Sequence, residues 1–219
     1  MVSASKGQRP YGGPTWFFEE EARACGYRRV AGLDEAGRGP LAGPVVGAVV
    51  ILPRHGEWPY LDDSKTVDPT VRDMLFEEIT DRAIDWAIGL ATEREIDALN
   101  ILEATKLAWR RAVASLSCPP DFLLIDAALL PALRIPQRSV VKGDQLSFSI
   151  AAASILAKVH RDRVMHDYHQ QYPSYQFHVH KGYPTPQHLR LLEQFGPCPA
   201  HRYSFRPVRD CSVVRKDMV

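Results

Sequence analysis

One stretch of nearly continuous apolar, largely β-branched sequence constrains the fold of this chain most. Residues 44–52 read PVVGAVVIL, which is long enough for one strand and far short of the ~18 apolar residues of a membrane-spanning helix. A strand that is apolar at almost every position has both faces buried, as in the centre of a sheet that is covered by helices. The segment therefore predicts a central strand of an α/β domain.

The remaining elements alternate around this strand. Capping at Asp68 and Pro69 predicts a helix over 69–82, and the alternation of Ile84, Trp86 and Ile88 predicts a strand over 84–92. Further strands are predicted at 29–34, 122–126 and 140–141, and further helices at 16–25, 93–116 (broken near residue 100), 147–168 and 185–195. This order predicts a mixed sheet with helices packed on it and a helical C-terminal extension.

The charges divide unevenly along the chain. The whole chain has 27 Lys and Arg against 26 Asp and Glu, which gives no overall attraction for nucleic acid. Residues 1–130 contain 14 basic and 20 acidic side chains, net −6, whereas residues 131–219 contain 13 and 6, net +7. A polyanion would meet one attractive surface and one carboxylate-rich region, which suits a metal-dependent phosphate site.

The sequence has no signal for secretion or for a membrane anchor. Cys25, Cys118, Cys198 and Cys211 show neither a CxxC pair nor a zinc-site spacing, which indicates reduced thiols. The N-terminal residues lack an apolar signal core, so we expect a cytoplasmic protein that does not contact membranes. No heptad pattern indicates a partner helix, and a monomer is expected.

Four acidic residues close apolar segments. Asp34 and Glu35 end the first predicted strand, which covers 29–34, Asp126 ends the strand at 122–126, and Asp144 follows Gly143. Solvated strand ends, or for Asp144 a turn or helix N-cap, are the alternative interpretations. Carboxylates at the ends of two buried strands repel one another unless a cation lies between them, and hard cations such as Mg²⁺ or Mn²⁺ prefer oxygen ligands. The set therefore favours two-metal phosphodiester chemistry.

Three polar segments could contact a phosphate. Gly37-Arg38-Gly39 fits no dinucleotide or P-loop motif, but its glycines allow close backbone approach and Arg38 can bind a phosphate; a simple tight turn is the alternative. Ser64 and Lys65 either belong to a polar loop or bind a backbone phosphate. The third segment, residues 178–183, carries Lys181 and Tyr183, which suit phosphate contact and stacking on a nucleotide; a zinc site there lacks the usual thiolates and spacing.

These motifs together resemble the type 2 ribonuclease H family, ribonuclease HII. The similar blocks fall in order over about residues 28–208: VAGLDEAGRGPLAGPVV at 30–46, DSK at 63–65, EID at 95–97, NI at 100–101, LID at 124–126, VKGD at 141–144, SIAAASILAKV at 149–159, RD at 161–162, HKGY at 180–183 and HRYSF at 201–205. The resemblance implies a ribonuclease H-like α/β fold, a five-stranded mixed sheet flanked by helices with a helical C-terminal region. It divides the chain into a leader with a short helix (1–27), a catalytic domain (28–208) and a tail (209–219).

The resemblance also implies roles for individual residues. The catalytic and metal-binding set would be Asp34, Glu35, Asp126 and Asp144, with the first three as the principal ligands. The sensor of a ribonucleotide 2′-hydroxyl would be Gly37, Arg38, Gly39 and Tyr183, and further substrate contacts would come from Ser64, Lys65, Lys142 and Lys181.

The implied activity is that of an Mg²⁺- or Mn²⁺-dependent endoribonuclease. It would hydrolyse the RNA strand of RNA–DNA hybrids and cut 5′ of ribonucleotides embedded in duplex DNA, leaving 5′-phosphate and 3′-hydroxyl ends. A non-catalytic hybrid-binding protein is the rival, and the four acids argue against it because they oppose binding of a polyanion. The chain departs from the family where Ala127-Ala128 replaces a common Gly-Asn pair. Its C-terminal VVRKDMV has no aromatic peptide for a sliding clamp.

Overall fold

A five-stranded mixed sheet forms the centre of the computed structural model, which describes residues 12–54, 56–62, 64 and 67–216. The strands are β1 (Val30–Ala36), β2 (Val45–Ile51), β3 (Asp85–Ala91), β4 (Phe122–Asp126) and β5 (Gln137–Val140). Their order is β3-β2-β1-β4-β5. The β1–β2 and β2–β3 pairs are antiparallel, and the β1–β4 and β4–β5 pairs are parallel. The fold class predicted from the sequence is confirmed.

Eight α-helices lie in the described part of the chain. They are α1 (Phe17–Ala24), α2 (Pro69–Arg82), α3 (Glu93–Leu99), α4 (Ile101–Ala114), α5 (Phe148–Gln171), α6 (Phe177–His180), α7 (Pro186–Phe195) and α8 (Arg206–Lys216). The predicted cap of α2 is present, because the Asp68 side chain accepts a hydrogen bond from the Thr70 N–H. The predicted break is also present at Asn100, whose φ of 74° ends α3 and whose side chain caps α4.

Helices α4 and α5 cover opposite faces of the sheet. Strand β2 is buried at every position: Val46, Ala48 and Val50 pack with α5, and Val49 and Ile51 lie in the cluster that contains residues of α4. Glycines on the strands allow this close packing. A Cβ at position 32 would overlap the backbone of α5, and one at position 47 would lie 2.7 Å from the ring of the α4 tryptophan.

Strand β3 buries its small residues rather than its large ones. Ala87, Gly89 and Ala91 are buried, whereas Leu90, from the alternating apolar set that predicts the strand, is exposed. The reason is the close approach of α4, since a Cβ at Gly89 would overlap the carbonyl oxygen of Ala108.

The ends of the domain differ in detail from the sequence-based boundaries. Strand β5 begins at Gln137, three residues before the predicted strand, and ends before the exposed Val141. Helix α8 includes residue 209, the first residue of the predicted tail. The division of the chain into leader, catalytic domain and tail stays a prediction. Helix α1, in the predicted leader, is anchored by the buried Glu19, which accepts hydrogen bonds from the Ser147 hydroxyl and the Ser149 N–H at 2.6 and 2.8 Å.

Two sequence-level expectations concern the whole chain. No helix in the described ranges combines the length and apolarity needed to cross a membrane. Within the same ranges, Cys25, Cys118, Cys198 and Cys211 are free thiols.

Candidate active site

Strands β1 and β4 bring acidic residues together at one edge of the sheet. Their parallel pairing ends at Leu33 and Ile125, so Asp34 and Asp126 follow side by side. Strand β1 continues to Ala36 as the partner of β2. Strand β1 therefore extends two residues beyond its predicted end at Asp34. The Asp-Glu pair lies where the pairing of β1 with β4 ends, while the pairing of β1 with β2 continues. We call Asp34, Glu35 and Asp126 the carboxylate edge.

Asp34 is the most enclosed residue of the carboxylate edge. It is 4% exposed, its carboxylate accepts a hydrogen bond from the Glu35 N–H at 2.7 Å, and the Ser154 side chain also hydrogen-bonds it. Its carbonyl accepts a hydrogen bond from the buried Trp109 indole at 2.9 Å. Burial, followed by the charges of Glu35 and Asp126, raises the pKa of Asp34 well above its ordinary value. Glu35 and Asp126 therefore each lie close enough to Asp34 to oppose its negative charge.

Asp126 is fixed by the turn that carries the fourth predicted acid. Its carboxylate accepts a hydrogen bond from the Gly143 N–H at 2.7 Å, and Asp144 is buried in the 3₁₀ turn that begins at Gly143. Ser147, not Asp144, caps α5, because its side chain accepts the Ile150 N–H. The alternative interpretation of Asp144 as the cap of this helix is therefore wrong.

The donor chemistry of the carboxylate edge suits a hard divalent cation. All of its side-chain donors are carboxylate oxygens. The pKa of Asp34 is raised first by burial and then by the charges of Glu35 and Asp126, and a bound cation would offset both effects. In the part of the chain that the structure describes, no group of three or more His, Cys, Asp or Glu side chains is already arranged as a metal cage. The residues fit the ion by chemistry, without a preformed coordination geometry.

Two buried arginines hold the segment that follows β1, residues 37–44, which we call the arginine-held turn. Arg202 is fully buried and its guanidinium donates five hydrogen bonds of 2.6 to 3.2 Å, to the carbonyls of Gly37, Arg38, Pro40, Gly43 and Pro44. Arg161, 1% exposed, donates to the carbonyls of Ala42, Pro44 and Lys181. Burial lowers the pKa of Arg202 to about 9, which leaves its guanidinium charged at neutral pH.

This arrangement orients the Gly-Arg-Gly backbone. The carbonyls of Gly37 and Arg38 face Arg202. Across a trans peptide the following N–H points the opposite way, so the N–H groups of Arg38 and Gly39 are directed away from the buried guanidinium. Arg38 itself is exposed, and its guanidinium lies 3.5 Å from the Glu35 carboxylate. The turn thus presents backbone donors beside the carboxylate edge.

The predicted sensor segments lie next to each other. The Leu41 N–H donates to the Gly182 carbonyl at 2.8 Å, and Arg161 links residues 42 and 44 to residue 181. A Cβ at Gly39 would lie 3.8 Å from the Tyr183 ring. Tyr183 is 41% exposed, so one side of its ring is available to a ligand. Of the two glycines, only Gly37 has a left-handed φ, of 101°.

Other predicted contacts have different positions. Ser64 is 3% exposed and its hydroxyl hydrogen-bonds the hydroxyl of Ser154, which in turn hydrogen-bonds Asp34, at a Ser64–Ser154 distance of 2.9 Å. The contact of Ser64 with a phosphate stays a prediction. Lys65 lies outside the described residues. Lys142 is exposed in a left-handed conformation next to Gly143, and Lys181 is half-buried.

Sequence reasoning assigned no role to the residues that support the site. Arg161, Arg202 and Trp109 are almost wholly buried, and the sequence around them carries no signal that distinguishes them from surface residues. The resemblance includes the first two within its blocks, which is the one indication that the sequence offers.

Comparisons with known proteins show one family and the same fold. Residues 31–208 match the family model described as Ribonuclease HII. The chain is 50% identical to a ribonuclease HII of Syntrophotalea carbinolica over 194 residues, 89% of this chain and 93% of that protein. It is 55% identical to one of Desulfitobacterium hafniense over 191 residues, 87% of this chain and 74% of that protein. The crystal structure of the ribonuclease H2 from Pyrococcus horikoshii OT3 superposes with a TM-score of 0.74 at 31% identity, covering 86% of this chain and 99% of that one.

Proposed function

Because the chain belongs to the ribonuclease HII family, whose members are metal-dependent ribonucleases, we propose that it hydrolyses the RNA strand of RNA–DNA hybrids and cuts 5′ of ribonucleotides embedded in duplex DNA. The observation that carries the proposal is the adjacency of two devices. Carboxylates that repel one another lie beside a turn whose backbone donors face outward, next to an exposed tyrosine ring.

The carboxylate edge would hold Mg²⁺ or Mn²⁺, with Asp144 close by on the turn that fixes Asp126. When bound, the cations supply an activated water and stabilise the leaving 3′ oxygen, so that the products carry 5′-phosphate and 3′-hydroxyl ends. The protein contributes the position of each acid. Trp109 and Ser154 fix Asp34, and the Gly143 N–H fixes Asp126. These hydrogen bonds would limit how far Asp34 and Asp126 must move to bind a cation.

Substrate choice would be made at the arginine-held turn. The outward N–H groups of Arg38 and Gly39 are suited to a ribose 2′-hydroxyl, and the absence of a side chain at Gly39 allows the sugar to approach the backbone. The Tyr183 ring, next to Gly39, would lie against the neighbouring sugar. The phosphodiester bond would be hydrolysed only where this sensor has positioned a ribonucleotide at the carboxylate edge.

Affinity would come mainly from basic side chains that touch the duplex backbone without reading its sequence. Arg38, Lys142, Lys181 and Lys65 are the proposed phosphate contacts, together with the net positive charge of residues 131–219. The predictions of a monomer, a cytoplasmic location and the absence of a sliding-clamp peptide stay predictions.

The test is cleavage mapping on an end-labelled duplex that carries one ribonucleotide, with a continuous hybrid and an all-DNA duplex alongside, in Mg²⁺ and then in Mn²⁺. We expect one cut 5′ of the single ribonucleotide, cuts along the hybrid RNA strand, and none in DNA. Binding of the hybrid without cleavage in either metal would identify the non-catalytic rival instead.

A variant of the sensor completes the test. Tyr183→Ala should lower kcat/KM on the single-ribonucleotide duplex about 10- to 100-fold through lost positioning, with Kd nearly unchanged. Tyr60→Ala, at an exposed tyrosine 80% accessible to solvent, is the matched control and should behave as wild type. Normal cleavage by Tyr183→Ala would remove Tyr183 from the sensor.

A further inference from the structure

Three buried histidines lie behind the sensor tyrosine. His180, His188 and His201 come from α6, α7 and the segment before α8, and the His180 and His188 rings stack with centroids 4.2 Å apart. His188 Nε2 lies 3.1 Å from His201 Nε2, and His188 Nδ1 lies 2.9 Å from the carbonyl oxygen of Tyr183. The cluster therefore connects directly to the backbone of the residue proposed to sense the substrate.

The hydrogen bonds of this cluster allow one arrangement of protons. The Cys198 N–H donates to His201 Nδ1 at 3.1 Å, so that nitrogen carries no proton, and a neutral His201 must carry its proton on Nε2. His201 Nε2–H then donates to His188 Nε2, which leaves the His188 proton on Nδ1. A carbonyl can only accept, and Nδ1–H is the donor that the Tyr183 carbonyl requires. We call the chain from Cys198 through His201 and His188 to the Tyr183 carbonyl the histidine relay.

The surroundings keep the relay neutral. Burial lowers the pKa of His201 to about 3 and that of His188 to about 4, and each ring has a neighbouring histidine that opposes a second positive charge. His180 completes the cluster with a hydrogen bond to the Tyr175 carbonyl at 2.7 Å. Both histidines therefore stay neutral at physiological pH, and the direction of each hydrogen bond is fixed.

Tyr183 needs such an anchor. It follows Lys181 and Gly182, which have left-handed φ values of 51° and 82°, and it lies in a loop between two helices. Its ring is 41% exposed, so packing restrains only part of it. Its carbonyl accepts hydrogen bonds from the Thr185 N–H at 2.8 Å and from His188. The orientation of the ring beside Gly39 is thus set largely through the backbone.

We propose that His188 is a positioning residue for cleavage at ribonucleotides, acting through its Nδ1–H on the Tyr183 carbonyl while His201 fixes its tautomer. The inference rests on the proposed sensor function of Tyr183 and extends it to two residues that do not touch substrate. His188 acts on the rate of cleavage and leaves duplex affinity to the basic side chains.

Two amide variants separate positioning from packing. Asn in place of His188 puts a possible N–H donor at the Nδ1 position and retains the bond to Tyr183, whereas Gln puts its amide at the Nε2 position and retains only the contact with His201. We expect His188→Gln to lower the single-turnover rate on a one-ribonucleotide duplex about 10- to 100-fold at unchanged Kd, and His188→Asn to stay within about threefold of wild type. His166→Gln, on the exposed surface of α5, is the control and should match wild type.

The tautomers provide a measurement that needs no variant. Nitrogen-15 NMR of the wild-type protein at neutral pH should show His188 as the Nδ1–H tautomer, which an isolated imidazole in water populates less, and His201 as Nε2–H. An Nε2–H tautomer at His188 overturns the relay, even if the variants fail to fold. Equal rates for the Asn and Gln variants overturn it too.

Tyr183→Ala in the same assay distinguishes a failure of the histidine relay from a failure of the proposed Tyr183 sensor. If Tyr183→Ala is slow while the Asn and Gln variants are equal, the sensor stands and the relay is wrong. If Tyr183→Ala cleaves normally, the sensor itself is wrong and the inference falls with it.

Discussion

The carboxylate edge and the arginine-held turn both bury charge, and they do so in opposite ways. At the carboxylate edge like charges face one another, and burial with the charges of Glu35 and Asp126 raises the pKa of Asp34. At the turn, eight hydrogen bonds from two guanidiniums to backbone carbonyls surround the positive charges. The first region is unfavourable until a cation binds, whereas the second is satisfied within the protein.

This difference explains what each region can do. A cluster whose charges repel gains most from a ligand of opposite charge, so the carboxylate edge is suited to bind metal. A turn of which six carbonyls accept hydrogen bonds from buried arginine side chains has a fixed shape, so the arginine-held turn is suited to discriminate by fit. Metal binding and substrate selectivity would therefore lie in neighbouring but distinct structures.

The largest effect is expected from removing one charge at the carboxylate edge. Asp126→Asn keeps an oxygen that can accept the Gly143 N–H, but it removes a charge that cations require. Cleavage should fall more than about 100-fold. Without metal the variant should melt at a higher temperature than wild type, because one source of repulsion on Asp34 is gone. Cleavage rates and melting curves in a chelator measure both effects.

Metal addition sharpens this comparison. Mg²⁺ that binds the folded state should raise the melting temperature of wild type and leave Asp126→Asn nearly unchanged. Near wild-type turnover together with an equal response to Mg²⁺ would show that Asp126 does not hold the metal.

Sequence reasoning reached these two regions unequally. The acids are predictable because each closes an apolar segment of the sequence, and the ends of parallel strands meet at one edge of the sheet. The support of the turn is not, because Arg161 and Arg202 lie more than 100 residues from the carbonyls of residues 37–44 that they bind. Burial of an arginine depends on tertiary contacts that no local pattern records.

Ser64 likewise shows that the local sequence does not determine whether a side chain is buried. A serine beside a lysine in a polar segment predicts an exposed phosphate contact, yet packing places Ser64 against Ser154 in the interior. Local composition describes the type of segment, whereas the path of the chain decides which side chain reaches solvent.

The next largest effect tests the arginine-held turn. Arg202→Lys keeps the positive charge but replaces a planar guanidinium with an ammonium group whose three N–H donors share one nitrogen. Several of the five carbonyls therefore lose their hydrogen-bond donor. We expect a loss of unfolding free energy of about 3 kcal/mol, since each buried unsatisfied carbonyl costs about 1–3 kcal/mol and some will rebond. Denaturant unfolding measures it.

A matched exposed arginine provides the control. Arg209→Lys, on α8, should change the unfolding free energy by less than about 0.5 kcal/mol. Equal stability of the two variants would mean that the charge of Arg202, and not its fork, holds the turn.

Substitutions of Gly37 and Gly39 test two properties of the arginine-held turn separately: its backbone conformation and the access of a sugar to its backbone. Gly37 has a φ of 101°, and a Cβ there would overlap Arg161 and lie 2.8 Å from the Pro44 carbonyl oxygen. Gly37→Ala should therefore lower the unfolding free energy by about 2 kcal/mol. Gly39 has ordinary torsions, and its Cβ would meet only the Tyr183 ring at 3.8 Å.

Gly39→Ala should keep wild-type stability but lower cleavage at a single ribonucleotide about 10-fold or more, because the methyl group occupies the space proposed for the sugar. Melting temperatures and kcat/KM for both variants are the measurement. A stable, fully active Gly39→Ala would place the 2′-hydroxyl elsewhere.

The smallest effect tests the cost of the backbone next to the carboxylate edge. Ala127 follows Asp126 with a left-handed φ of 47°, a conformation that costs a residue with a Cβ about 1–2 kcal/mol. Ala127→Gly relieves this strain but adds about 0.4–1 kcal/mol of unfolded-state entropy, so the net gain in unfolding free energy should be about 0–1.6 kcal/mol. Ala128→Gly is the matched control. Its methyl group packs against the core cluster that includes Trp109, and its loss should destabilise by about 0.5–1 kcal/mol. Cleavage should stay unchanged in Ala127→Gly, because the Gly143 N–H still holds Asp126. If denaturant unfolding shows both variants equally destabilised, the turn after Asp126 is unstrained, and the cost of the carboxylate edge lies in its charges alone.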